Sequence, residues 1–333
     1  MPTPFINGLL AAILAALLLP AVSLADLLVS TSAGLLRYDS SNGQFLGTLV
    51  PQSVGLFTVG PDGNIYACCA TGTANVVRYD GVTGASLGLF NSGTPALIPG
   101  ADGEPIARDV TFGPDGNLYV LTRHYALNPN AFEEASLLRY NGTTGAFMDF
   151  FIGPMADPRP YRVLSAPDGN FYFSSYEMGT EQGGVVIRDG MTGQPAGYLD
   201  TLRTANEWNP RSVAYGPGGD LYVTAGDSIV TFDGATHQYL GVFSANTGIP
   251  FLDRLAFGPD GNLYATGVST GAIYRIDGQT GAVLGLFTSG GPSGWQGDYA
   301  FTASQAVIPE PASGLLLALG WIACEVARRA RRR

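Results

Sequence analysis

A seven-residue segment recurs five times along this chain and limits the fold more than any other feature. It reads Gly60-Pro61-Asp62-Gly63-Asn64-Ile65-Tyr66 in its first copy. It returns at Gly113 to Tyr119, Ala166 to Tyr172, Gly216 to Tyr222 and Gly258 to Tyr264. The starts lie 53, 53, 50 and 42 residues apart, the spacing of propeller blades joined by loops of unequal length. A short apolar strand precedes each copy, as in Val110-Thr111-Phe112 or Leu255-Ala256-Phe257. A second strand follows, then a third ending in Arg78-Tyr79-Asp80, Arg139-Tyr140-Asn141 or Arg275-Ile276-Asp277. A Gly-x-Thr-Gly turn and a fourth strand such as Ala282 to Phe287 complete the unit. No stretch of this core holds a helical period, so the spacing predicts an all-β domain of four-stranded blades.

Counting the units predicts how the ring closes. Five complete blades begin near Leu56, Val110, Tyr161, Val213 and Leu255. Three more strands stand at the start of the core, Leu27 to Ser30, Leu35 to Tyr38 and Phe45 to Leu49, and one is left over at Asp298 to Thr302. One plus three makes a sixth blade, giving a six-bladed β-propeller over residues 26–304 with few exposed edges. The repeated turns have a local cause: Pro presets φ, Gly accepts positive φ, and Asp or Thr bonds nearby amides. Each turn offers one carboxylate where a calcium loop needs several, so they read as hairpin formers and no metal or cofactor is predicted.

Both ends of the chain read as addresses. Leu9 to Leu19 is an apolar run of signal-peptide length, and Ser23-Leu24-Ala25 before Asp26 suits a signal peptidase, which assigns residues 1–25 to a removable leader. At the other end Pro309, Glu310 and Pro311 precede an apolar run from Ala312 to Val326, then Arg328, Arg329, Arg331, Arg332 and Arg333. A helix over that run reaches only ~22 Å, short of a ~30 Å hydrocarbon core. The arginines would hold its end on the cytoplasmic side. This order resembles the PEP-CTERM signal of Gram-negative bacteria, which an exosortase recognises and processes. The resemblance implies export across the inner membrane, transient anchoring through residues 305–333, and a final place at the cell surface or outside the cell. The blades also resemble NHL-type and related six-bladed propellers, a likeness that speaks to fold more than function.

The core between these addresses is acidic: 12 Arg and no Lys stand against 25 Asp and Glu, a formal charge of −13. Such a surface repels phosphate backbones, so nucleic acid is not a predicted partner. Strand alternation puts the short repeated turns on one face and long irregular loops on the other, where binding usually sits. Where the innermost strands begin on that loop face, Arg108, Asp109, Arg162, Arg211, Asp253, Arg254 and Asp298 are placed around the channel mouth. They read either as a site for an anionic or polyhydroxylated ligand or as a salt-bridged collar. Tyr125, Tyr176, Trp208 and Trp295 on the same face are candidates to stack on sugar rings or to pack between loops.

Catalytic patterns are sparse. His124 and His237 are the only histidines, and neither has a metal-ligand partner at useful spacing. Gly267-Val268-Ser269-Thr270-Gly271 matches a nucleophile elbow in letters, but lies between two strands with no helix behind it, so it reads as a turn. Cys68 and Cys69 read as a buried thiol beside a half-exposed one rather than a strained vicinal disulfide. The sequence therefore points to a non-enzymatic surface or matrix protein that binds exopolysaccharide or a surface protein. The alternative, which the resemblance to six-bladed propellers implies, is a calcium-dependent lactonase or esterase; such enzymes hold the ion with Glu, Asp and Asn in the channel, where the inner-strand starts of this chain favour Arg.

Overall fold

The computed structural model describes residues 25–68, 74–94, 105–124, 134–155, 159–176, 183–200, 210–249, 251–267, 272–288 and 296–302. All of these but Ala25 belong to one unit, Asp26–Ala303. Among them every regular element is a strand. The chain enters on β1 (Asp26–Thr31), β2 (Gly34–Asp39) and β3 (Phe45–Val50). Next come β4 (Phe57–Val59), β5 (Ile65–Cys68), β6 (Val76–Tyr79) and β7 (Ser86–Leu89), then β8 (Pro105–Phe112), β9 (Leu118–His124), β10 (Glu134–Tyr140) and β11 (Phe147–Met155). The third full set is β12 (Arg159–Ser165), β13 (Asn170–Tyr176), β14 (Gly183–Asp189) and β15 (Pro195–Asp200). The fourth is β16 (Val213–Tyr215), β17 (Leu221–Ala225), β18 (Ser228–Phe232) and β19 (Tyr239–Ser244). The last is β20 (Leu252–Phe257), β21 (Leu263–Gly267), β22 (Ile273–Ile276) and β23 (Val283–Leu286), followed by β24 (Gln296–Phe301).

Six antiparallel four-stranded sheets result, and the sixth runs β24-β1-β2-β3. Blades 1 to 5 begin with β4, β8, β12, β16 and β20. Blade 6 pairs Leu27 with Phe301 and Val29 with Tyr299, which closes the ring as the strand count predicts. Thr302 N–H adds a bond to the Asp26 carbonyl at 2.9 Å. All-round burial follows each strand's place in its blade. β5 and β21 are buried on both faces, whereas the outermost strands β7 and β23 are almost wholly exposed.

Aromatic residues of the repeat fuse neighbouring blades. The Tyr66 ring meets Phe90 of its own blade at 4.8 Å and Phe112 of blade 2 at 4.9 Å, both edge-on. Tyr222 repeats this with Phe243 and Phe257, and Tyr264 with Phe287 and Phe301. Each such pair contributes about 0.5–1.5 kcal/mol beyond the area it buries.

The two turn motifs lock onto each other. Asp62 accepts the Asn64 N–H at 3.1 Å and the Tyr66 hydroxyl at 2.9 Å, while Asn64 Oδ1 accepts the Gly81 N–H of the neighbouring turn at 3.3 Å. The pattern recurs at Asn117 with Gly142 and at Asn262 with Gly278. A Cβ on Gly278 would lie 1.9 Å from the Gly261 carbonyl oxygen, so the close approach itself requires glycine.

Several strands run longer than the sequence reading gives them. β8 starts at Pro105 and β20 at Leu252, not at Val110 and Leu255, and β9 continues to His124 opposite Glu134. The extra residues are polar or interrupt the apolar alternation. Their partners hold them in the sheet, as Ile106 opposite Arg123 and Leu252 opposite Gly267 show.

Candidate functional site at the channel mouth

Four of the six innermost strands, β8, β12, β20 and β24, carry a β-bulge near their start. In β8 the register passes from Ala107 to Asp109, leaving Arg108 as the extra residue. In β12 it skips Tyr161, in β20 Asp253, and in β24 Gly297. Ordinary alternation would send consecutive side chains to opposite faces. The bulge lets neighbours such as Asp253 and Arg254 both reach the channel network, and bulges of this kind commonly re-aim side chains beside sites.

That network joins residues from blades far apart in sequence. Arg162 of blade 3 lies 3.4 Å from Asp298 of blade 6 and 3.7 Å from Asp253 of blade 5, so its guanidinium reaches across the channel. Arg211 lies 3.3 Å from Asp253 and stacks over Tyr161 at 5.2 Å. Arg254 Nε lies 2.7 Å from Asp298 and donates to the Tyr299 carbonyl at 3.3 Å. Asp109 is buried. Its carboxylate accepts the Val110 N–H and, in the next blade, the Val163 N–H, both at 3.0 Å.

Burial pushes the Asp109 carboxyl above its ordinary value, with Arg162 and Arg254 pulling against it and Asp298 adding to the rise. Burial also works against the Arg162 charge, but Asp298, Asp109 and Asp253 outweigh it and hold the guanidinium's pKa above its ordinary value. Carboxylates from three blades thus gather around one internal cation supplied by the chain. Among the described residues no three Asp, Glu, His or Cys side chains form a cluster that could hold a metal ion.

Of the channel residues singled out from sequence, Asp109, Arg162, Arg211, Asp253, Arg254 and Asp298 meet in this network. Arg108 makes no ion pair among the described residues, and its Nε is buried without a hydrogen bond. Tyr125, Trp208 and Trp295 lie outside the described residues, as do Cys69, residues 268–271 of the elbow-like turn, residues 1–24 and residues 303–333; Cys68 is buried. Beneath the arginines a cavity of about 300 Å³ extends along β12, β16 and β20, lined by Arg162, Arg254, Ser174, Ser212, Tyr215 and Phe257. Sequence reasoning missed it, because Ser212, Ala214 and Ala256 become a wall only when three blades are brought together.

His237 is the other residue whose place the sequence did not reveal. It occupies the turn position that Gly84, Gly145, Gly193 and Gly281 fill in other blades, and it adopts the same left-handed backbone with φ 59°. Its ring stands edge-on to Tyr172, with Nε2 3.2 Å from the Tyr172 hydroxyl, which itself donates to Asp168 at 2.6 Å. The signal was present: blade 4 alone breaks both motifs, with Gly218 for the turn Asp and His237 for the turn Gly.

Fold and channel define a six-bladed β-propeller closed by one C-terminal and three N-terminal strands. The chain carries the PEP-CTERM protein-sorting motif over residues 307–333. A chain of the nidogen/laminin complex aligns with TM-score 0.61 at 12% identity, covering 84% of this chain and 99% of that one. A protein of unknown function from Bacteroides caccae aligns with TM-score 0.56 at 15% identity, over 84% of this chain and 100% of its own. The PQQ-bound aldose sugar dehydrogenase of Streptomyces coelicolor aligns at 0.49 and 13%, over 85% and 86%. The first two likenesses are of fold alone. No curated protein matches the chain.

Proposed function

We propose that this protein is exported, processed by an exosortase at its C-terminal motif after transient inner-membrane anchoring, and displayed at the cell surface or in the extracellular matrix. There it acts as a non-enzymatic propeller whose loop face binds exopolysaccharide or a surface protein. The observation that carries the reading is the PEP-CTERM motif at residues 307–333. The rigid ring supports it, since an irregular loop face on a closed scaffold is suited to recognition. Arg162 also supports it: its guanidinium sits among Asp109, Asp253 and Asp298, where a calcium-dependent hydrolase would need a metal.

The test has two arms in an exosortase-bearing host. Replacing Pro309, Glu310 and Pro311 with Ala should leave an unprocessed precursor in the inner membrane. The released parent protein should be retained on the host's own exopolysaccharide or cross-link to a surface protein. Release of the triple variant at the parent rate sinks the export reading, and a parent that engages neither polymer nor protein sinks the binding reading.

A further inference from the structure

The geometry points to a binding site for a small organic acid with an apolar body, set inside the channel with Arg254 as its carboxylate clamp. Three observations converge on it. The cavity of about 300 Å³ lies at the lower end of the range for small-molecule sites, large enough for one ring and not for a polymer. Arg254 is anchored through Nε, at Asp298 and the Tyr299 carbonyl, and by its guanidinium over the Tyr299 ring at 5.9 Å. Among the described residues neither of its terminal nitrogens has a hydrogen-bond partner. A guanidinium fixed at one end and open at the other matches a carboxylate with two parallel bonds.

The walls decide the rest of the ligand. Leu164, Ala214, Ala256, Tyr215 and Phe257 line the space below the arginine, a surface that favours an aryl or branched alkyl group over a ring of hydroxyls. Few polar groups remain to satisfy a sugar. Ser174 donates to the Arg211 carbonyl at 2.8 Å. Ser212 Oγ accepts the Leu255 N–H at 3.0 Å and keeps one proton with no acceptor among the described residues, enough for one further bond to the acid. A polyol would bury unpaired hydroxyls, each costing about 1–3 kcal/mol. The site stands independently of the export reading and of any polymer bound by the loops.

Calorimetric titration of the full-length chain with phenylacetate, phenylacetamide and glucuronate tests it. Phenylacetate should saturate one site. The neutral amide and the hydroxylated acid should each bind at least about tenfold more weakly, the first for want of charge and the second for want of an apolar body. Arg254→Lys, which keeps the charge but loses the fork, should weaken phenylacetate about tenfold or more. Ala256→Phe, which fills the cavity, should abolish binding. The proposal is overturned if phenylacetate fails to saturate by about 10 mM, if amide or glucuronate binds as tightly, or if Ala256→Phe still binds with a parent-like melt. Should either variant misfold, the three-ligand comparison on the parent chain decides.

Discussion

Asp298 accepts the Phe57 N–H at 3.0 Å across 241 residues of sequence, tying the last strand of the chain to the first strand of blade 1. The same device recurs at every second blade boundary: Asp109 holds Val163 N–H and Ser212 holds Leu255 N–H. At the aligned position of the receiving blades stand Leu56, Arg162 and Arg254. The six-fold ring is thus laced with a three-fold pattern of acceptors alternating with other side chains. Asp298 has no exposed side-chain surface, and it faces Arg162 and Arg254 as well. Asp298→Ala should cost about 3–5 kcal/mol, the range for removing one partner of a buried charged network. A loss below about 1 kcal/mol by chemical denaturation would show that the lacing is incidental.

Arg108 and Arg211 stand at the same position of the repeat, five residues before Gly113 and Gly216, but differ in surroundings. Arg211 has Asp253 and the face of Tyr161, whereas Arg108 has a buried Nε with no partner. Arg211→Ala should lower stability by about 1 kcal/mol. Arg108→Ala should leave it unchanged or raise it, because a buried guanidinium nitrogen without a hydrogen bond is removed. Thermal melts of the two variants check this, and equal destabilisation by both would contradict it.

His237 combines a left-handed backbone with a contact to Tyr172. His237→Gly loses the contact and relieves the strain, while His237→Ala loses the contact and keeps the strain. The glycine variant should therefore be the more stable of the two by about 1 kcal/mol, and within about 0.5 kcal/mol of the parent. Equal melting temperatures for the Ala and Gly variants would refute the strain.

Turn aspartates contribute to the response to acid. Backbone and side-chain bonds from Thr83 hold the Asp80 carboxyl below its ordinary value, and Thr192, Thr236 and Thr280 do the same for Asp189, Asp233 and Asp277. Since the folded-state pKa is depressed, the stability they contribute is present above about pH 4 and is lost as pH falls through the folded value. Blade 2 carries Asn141 at this position, and its Oδ1 accepts the Thr143 and Thr144 amides at 3.0 and 2.8 Å. Changing all four aspartates to Asn should preserve the fold at pH 7 and flatten the fall in melting temperature below pH 4. An unchanged acid limb would place the sensitivity elsewhere.

The sequence by itself determined the blade, its turns and the closing of the ring. Those rest on interactions a few residues long, such as Asp62 with Asn64 and Asp80 with Thr83, repeated often enough to be counted. Asp298 to Thr302 was legible as the closing strand because three strands at the start lacked a fourth. The sorting motif was legible because it is read as sequence. The bulges at Arg108, Tyr161 and Asp253 were not, since a bulge leaves no mark in hydrophobic alternation when polar neighbours flank it. Nor did the sequence show that Arg162 reaches Asp298 on the opposite blade, or that Ala214 and Ala256 leave room beside Arg254. Those outcomes depend on strands more than 40 residues apart meeting around one axis, where a side chain's partners are set by the closed ring and not by its neighbours in the chain.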